Sequence, residues 1–241
     1  MKFIIDKAVL EKFPGLNLGL LVVKGIDNKG ESPEVIVLIR QREEEIRQKF
    51  QKDKLSENPK IASWRAAYSS FGAKPKKYKC SVENLYRMIL DGIELKHYSK
   101  LVDIYNYISI KHMVPLGGDD IGKVEGGIKL TVAKGTEPYT ELNSDETKSP
   151  REGEVVYMDD KEVLCRRWNW RECDKTKMTE GTTSASLVIE GLPPVTEADV
   201  KSILDELKKL ILKHCGGEAE AHVLNKDNPE AEIARISSRP G

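Results

Sequence analysis

The hydrophobic pattern of the chain changes at Pro115, and this change constrains the fold more than any other feature of the sequence. Before Pro115, apolar residues recur mainly at helical spacing; after it, they gather into short β-branched runs. Helices first and strands later, closed by one more helix, argues for an α+β architecture and against a repeating βαβ sheet. One strand precedes the helices: Asn17 to Lys24 (NLGLLVVK), bounded by Gly15 and Gly25. Ser32 as N-cap and Pro33 in the first turn open a helix expected to run to about Lys54, with Glu43, Glu44 and Glu45 on its solvated face. Further helices are expected from Asn58-Pro59 to Gly72 and from Ser81 to Asp91-Gly92. Residues 99–113 fit both helical spacing and alternation, and their length favours a helix.

Beyond Pro115, Leu116-Gly117-Gly118-Asp119-Asp120 reads as a turn-rich loop. Strands follow at Gly127 to Ala133, Glu154 to Met158, Val163 to Arg167 and Ser184 to Glu190, with a polar surface loop over 142–153. Thr196 as N-cap, an apolar stripe from Val200 to Ile211 and Gly216-Gly217 bracket an amphipathic helix. Glu220 to Leu224 returns as a strand, and 234–241 reads as a disordered tail.

Charge and cysteine usage exclude several classes. The 39 Lys and Arg balance the 39 Asp and Glu, so bulk positive charge cannot drive nucleic-acid binding, and any such contact needs a local patch. Lys2, Asp6 and Lys7 interrupt the N-terminal apolar stretch, which therefore does not read as a signal peptide. The apolar runs are too short to span a bilayer. Four scattered cysteines without a CxxC pair, and four histidines without metal-ligand spacing, point to a reduced, cytoplasmic protein with no metal and no cofactor. No Walker loop, GxGxxG or nucleophile elbow is present.

Three stretches carry chemistry. Residues 58–80 hold six basic residues (Lys60, Arg65, Lys74, Lys76, Lys77, Lys79) and no acid, interleaved with Trp64, Tyr68, Phe71 and Tyr78. Such a pattern suits single-stranded RNA, and equally a helix with a solvated basic face over core aromatics. Cys165-Arg166-Arg167-Trp168-Asn169-Trp170-Arg171 packs two Trp, three Arg and an Asn into seven residues. It is either a ligand-binding cluster or a strand end whose Arg residues pair with Glu162 or Glu172. Asn106, within Leu101-Val102-Asp103-Ile104-Tyr105-Asn106-Tyr107, is either a pocket amide or a buried structural one. Glu190 ends an apolar strand, where a carboxylate can orient water, bind an amine or simply meet solvent, and Gly117-Gly118 allows close backbone approach.

The stretch from Leu101 to Tyr107 followed by Pro115-Leu116 resembles the VVDxTNY and Pro-Leu-His segments of the B3/B4 domain of the phenylalanyl-tRNA synthetase β subunit. The chain is similar to free-standing proteins that consist of that domain alone. Trp64-Arg65, Phe71-Gly72, Lys74-Pro75, Gly153-Glu154-Val155-Val156 and Arg166 to Arg171 carry that similarity, which covers roughly residues 60–192. The resemblance implies one three-layer α+β domain over 1–241, two layers of strands and one of helices, with 1–55 as an N-terminal elaboration and 196–224 as a C-terminal helix and strand. It implies a tRNA-binding protein that deacylates mischarged aminoacyl-tRNA without a metal, with tRNA as partner and neither DNA nor membrane. A non-catalytic RNA- or protein-interaction module, or an amino-acid- or small-molecule-binding protein, remains the alternative on the same fold.

The implied site comprises Asn106, Glu190 and the backbone of Gly117 and Gly118. Arg65, Lys74, Lys76, Lys77, Arg167, Trp168, Asn169, Trp170 and Arg171 are the implied substrate- and RNA-binding residues, with Trp168 or Trp170 stacking on the terminal adenine. Two departures stand out: the family His falls on Gly117 and its Thr on Tyr105. The missing ring at 117 is expected to leave space for a different aminoacyl group, and no pocket imidazole should titrate near neutral pH.

Overall fold

The computed structural model describes residues 1–233; the expected tail over 234–241 lies outside the described residues. The chain forms, in order, β1 (Lys2–Ile5), α1 (Lys7–Lys12), β2 (Asn17–Lys24), α2 (Pro33–Lys49), α3 (Pro59–Ser70), α4 (Ser81–Leu90) and α5 (Lys100–His112). Then come β3 (Leu116–Asp120), β4 (Ile128–Val132), β5 (Tyr139–Thr140), β6 (Thr147–Lys148), β7 (Val155–Met158) and β8 (Val163–Arg166). The chain continues through β9 (Arg171–Glu172), β10 (Ser184–Gly191), α6 (Glu197–Cys215), β11 (Glu218–Leu224) and β12 (Glu230–Glu232). The α+β expectation holds.

The strands form two main sheets, ordered β12-β1-β4-β7-β8-β9 and β11-β2-β10-β3, with β5 and β6 as a separate pair. Among the described residues, all strand pairings are antiparallel except β1 with β4. Every residue of β10 is buried, because both faces of its sheet are covered there. Helix α6 lies on one face: a Cβ on Gly191 or Gly19 would stand 2.8 or 2.9 Å from Val200, so bare backbone lets the helix approach closely. Side chains alternate along a strand, which turns Val188 and Glu190 to the opposite face, toward the six-stranded sheet. There the Tyr157 hydroxyl of β7 donates to Glu190 at 2.6 Å and ties the two sheets together.

Local chemistry explains the helix ends. Thr196 and Asp199 form a reciprocal capping box on α6, and the Asn58 side chain caps α3 by accepting from the Lys60 N–H. Ser32 precedes α2 without capping it; its hydroxyl pairs with His214 Nδ1 at 3.0 Å. Two expectations for α2 are corrected. The helix stops at Lys49, and Glu43 is fully buried, where it accepts from Arg40 at 2.6 Å and from the Leu95 N–H at 2.7 Å.

The largest correction concerns Leu116 to Asp120, expected as a loop and found as the edge strand β3 beside β10. Gly118 is a requirement of strand packing: a Cβ there would lie 2.1 Å from the Ser186 carbonyl oxygen. The segment 1–55, expected as an N-terminal elaboration, contributes β1 and β2, both at interior positions of the two main sheets.

Candidate functional site

A pocket of about 310 Å³ opens where the two sheets and the helices meet. Its walls come from Ser81 and Leu85 of α4, Tyr105 of α5, Leu116 to Asp119 of β3, Tyr157 of β7, Cys165 of β8, the segment Trp168 to Glu172, and Val188 and Glu190 of β10. An adjoining depression shares seven of these residues (Ser81, Leu85, Tyr105, Leu116, Trp170, Arg171 and Glu172) and adds Lys77, Lys79, Asn84 and Asn106, forming a vestibule.

Three carboxylates line the pocket. Glu190 is buried, accepts from Tyr157 and from the Asn169 amide, and has its pKa raised to about 7 by desolvation. Asn169 in turn accepts from the Tyr68 hydroxyl at 2.8 Å, so a chain of neutral donors fixes the carboxylate without neutralising it. The Trp168 indole N–H, buried and without a hydrogen bond of regular geometry, lies close enough to Glu190 to favour its ionised form. Glu172 is raised to about 8, first by desolvation and then by the charge of Asp119. Desolvation also raises Asp119, to about 6, although Thr176 donates to it at 2.5 Å. Desolvation holds Tyr105, Tyr157 and Cys165 well above their ordinary values, so neither phenolate nor thiolate is on offer at neutral pH.

Glu172 occupies the place of a side chain that residue 117 lacks. A Cβ on Gly117 would stand 2.9 Å from Glu172 Oε1. Pairing places the Gly117 and Asp119 amides toward β10, and Asp120 turns its N–H outward to the Thr176 carbonyl. The same alternation turns the Gly118 N–H off the sheet edge, where it lowers the pKa of Glu172. The space expected at Gly117 is therefore filled by a carboxylate from β9, a group other than imidazole whose pKa burial raises toward neutrality.

Asn169 reaches Glu190 because of an unusual turn. Arg167 and Trp168 both have positive φ, 47° and 67°, a conformation that costs a non-glycine residue about 1–3 kcal/mol. The turn is held by the Trp168 N–H donating to the Val155 carbonyl at 2.6 Å, and by packing of the Trp168 ring edge-on against Trp64 and Phe13. Arg166 forks onto buried Glu154, with Nη2 at 3.0 and 2.8 Å, and Arg167 stacks on Tyr78 and Trp170 at 3.8 and 4.5 Å.

The expected site residues thus divide. Glu190, Gly117, Gly118, Trp168, Asn169, Trp170 and Arg171 share the pocket; Asn106 and Lys77 stand on or beside its vestibule. Asn106 is partly exposed and makes no side-chain hydrogen bond among the described residues, so it is not a buried structural amide. Trp168 is fully buried and offers no ring face to a base, which leaves Trp170, half-buried against Tyr78. Arg65 joins Arg87 on buried Glu83, each at 2.8 Å, and is held as a structural ion pair. Trp64, Tyr68 and Phe71 belong to the core, while Lys74, Lys76 and Lys77 are exposed. The Arg cluster pairs with Glu154 and Glu141, not with Glu162 or Glu172. Sequence reasoning missed Asp119, Tyr157 and Tyr68 as site residues and took Glu172 only as an ion-pair partner. The mid-strand Tyr157, two residues from Val155 on the same face, was the available signal.

No group of His, Cys, Asp and Glu among the described residues has the arrangement of a metal site, and no helix there is long and apolar enough to cross a membrane. Comparison with curated proteins gives no match. Among solved structures, the chain is similar to an N-terminal fragment of the phenylalanyl-tRNA synthetase beta-subunit from Pyrococcus horikoshii, at 11% identity and a TM-score of 0.48. That similarity covers 90% of this chain and 49% of the other, so the chain spans about half of the fragment. The sequence profile of the B3/4 domain matches residues 63–216, which include α4, α5, β3, β10 and every pocket wall described above. With well over half of its length matched in this way, the chain belongs to the B3/4 domain family.

Proposed function

We propose that the pocket receives the aminoacyl end of a tRNA and hydrolyses its ester. One observation carries this reading: the site is acidic inside and basic outside. Asp119 and Glu190 line the interior, Lys77 and Lys79 line the vestibule, Glu172 and Arg171 stand where the two meet, and Lys74 and Lys76 lie exposed in the same basic segment. A molecule with an amino group at one end and phosphates at the other fits that gradient. Membership of the B3/4 family, and the resemblance to the synthetase domain, agree with a tRNA-related role.

An aminoacyl ester is already activated, so the site needs positioning, a base and an oxyanion donor rather than a strong nucleophile. In this reading Glu172, without an ion pair among the described residues and raised to about 8, takes a proton from the attacking water in its ionised form, which a bound ammonium favours. Peptide N–H groups along the β3 edge and the Asn106 amide stabilise the developing oxyanion, and Glu190, immobilised by Tyr157 and Asn169, holds the amino end. A deacylation screen against a panel of mischarged tRNAs tests the proposal. Survival of every ester at its buffer rate refutes it.

The second reading is an amino-acid- or small-molecule-binding protein. It is favoured by burial of Trp64, Tyr68, Phe71 and Trp168, which leaves few aromatic faces for bases. Binding of a free amino acid as tight as that of an aminoacyl-adenosine would select it.

A further inference from the structure

We propose that this pocket selects a substrate with a second positive charge, an aminoacyl group whose side chain ends in an ammonium, as in lysine or ornithine. The inference rests on the pocket reading above and names the substrate class of that site.

Three carboxylates face one small cavity, and among the described residues none of them is ion-paired with a cation there. Arg171, the single cation in the pocket wall among the described residues, lies over Trp170 and is directed to Glu141 at 3.4 Å. Lys77 and Lys79 reach only the vestibule. The other titratable neighbours (Tyr105, Tyr157, Tyr68 and Cys165) are neutral and bring no positive charge. One α-ammonium pairs with one carboxylate; the two acids left over call for a second cation between them. The Trp168 N–H in the same wall, buried beside Glu190 without a hydrogen bond of regular geometry, has donor capacity left for an acceptor on the ligand, which an aminoacyl carbonyl supplies. A cavity of about 310 Å³ lies at the low end of small-ligand sites, ~300–1,000 Å³, and suits an amino-acid-sized group.

Charge complementarity also fixes a thermodynamic signature. Glu172 and Glu190 are raised to about 8 and about 7, so both are partly protonated at pH 7, and an incoming ammonium drives the protons off.

The test uses two non-hydrolysable 3′-amide analogues of aminoacyl-adenosine, one lysyl and one norleucyl, which differ only in the terminal ammonium. Titration calorimetry at pH 7 is run in two buffers of different ionisation enthalpy, with lysinamide as a third ligand. The lysyl analogue is expected to bind at least about tenfold tighter than the norleucyl one and to release protons, with the gap narrowing in Glu172→Gln and Glu190→Gln. Equal affinities, binding without proton release, or no binding of either analogue overturns the inference. Lysinamide binding as tightly as the lysyl conjugate supports the charge selection while refuting the aminoacyl-RNA reading, so the two failures are distinguishable.

Discussion

Replacing Glu190 with Gln changes the pH dependence of stability in a way the structure fixes. Burial raises the Glu190 carboxyl from 4.5 to about 7. The folded state therefore binds its proton more tightly than the unfolded chain, and stability associated with the protonated acid is fully present below pH 4.5. That stability is lost as pH rises toward 7 and levels off above it. A displacement of about 2.5 pH units corresponds to roughly 3 kcal/mol, of which about 2.5 kcal/mol falls between pH 5 and pH 8. Gln cannot ionise but keeps the shape and one acceptor for Tyr157. Its altered hydrogen bonds with Asn169 add a constant offset at all pH values. Urea melts of wild type and Glu190→Gln at half-unit steps from pH 5 to 8 separate the two effects. The variant is expected to gain about 2–3 kcal/mol relative to wild type across that range, whatever its offset at pH 5. Parallel curves would show that Glu190 titrates at its ordinary value and that its desolvation is not real.

Gly118→Ala places a methyl 2.1 Å from the Ser186 carbonyl oxygen and should lower stability by about 1–3 kcal/mol in a denaturant melt. Gly117→Ala crowds only the Glu172 side chain, so it should cost less stability while lowering hydrolysis or ligand affinity several-fold. Asn106→Ala should reduce activity with little change in melting temperature, because no partner among the described residues loses a hydrogen bond; a large drop in stability would contradict the vestibule role. Reversing the charges of Lys74, Lys76 and Lys77 together should weaken tRNA binding and flatten its salt dependence; an unchanged slope of log affinity against log salt places the RNA contact elsewhere.

What the sequence conveyed best was local periodicity. The helices over 33–49, 59–70, 81–90, 100–112 and 197–215 and the strand at 17–24 follow from spacing and caps that act within a few residues. The Leu116 to Asp120 strand was hidden because its glycines mimic a turn, and only tertiary neighbours explain them: the β10 backbone at Gly118 and the Glu172 side chain at Gly117. β1 was hidden for a related reason: its partners, β4 and β12, lie far along the chain. For the site, residue identity was readable at Glu190, Asn169 and the Gly pair. Their partners were not, because Glu172, Asp119, Tyr157 and Tyr68 become neighbours only through tertiary contacts. Composition misled in one direction: aromatic residues beside lysines resemble a base-stacking surface, yet Trp64, Tyr68 and Phe71 were drawn into the core by their apolar area.

The sheet order has a consequence for how this protein is made. Strand β2 has β10 and β11 as its two neighbours, and both lie beyond residue 183. Strand β1 likewise sits between β4 and β12. On the ribosome, the apolar run from Leu18 to Val23 must wait unpaired while the helices and most of the six-stranded sheet emerge. Such sequence-distant pairing slows folding and leaves a β-prone segment open to wrong partners in the interval. Glu190 itself enters on β10, so the pocket cannot exist on a partly synthesised chain. Arrest of translation before residue 184 should yield a species with helical content and no ligand binding, and one that depends on chaperones to keep β2 from aggregating.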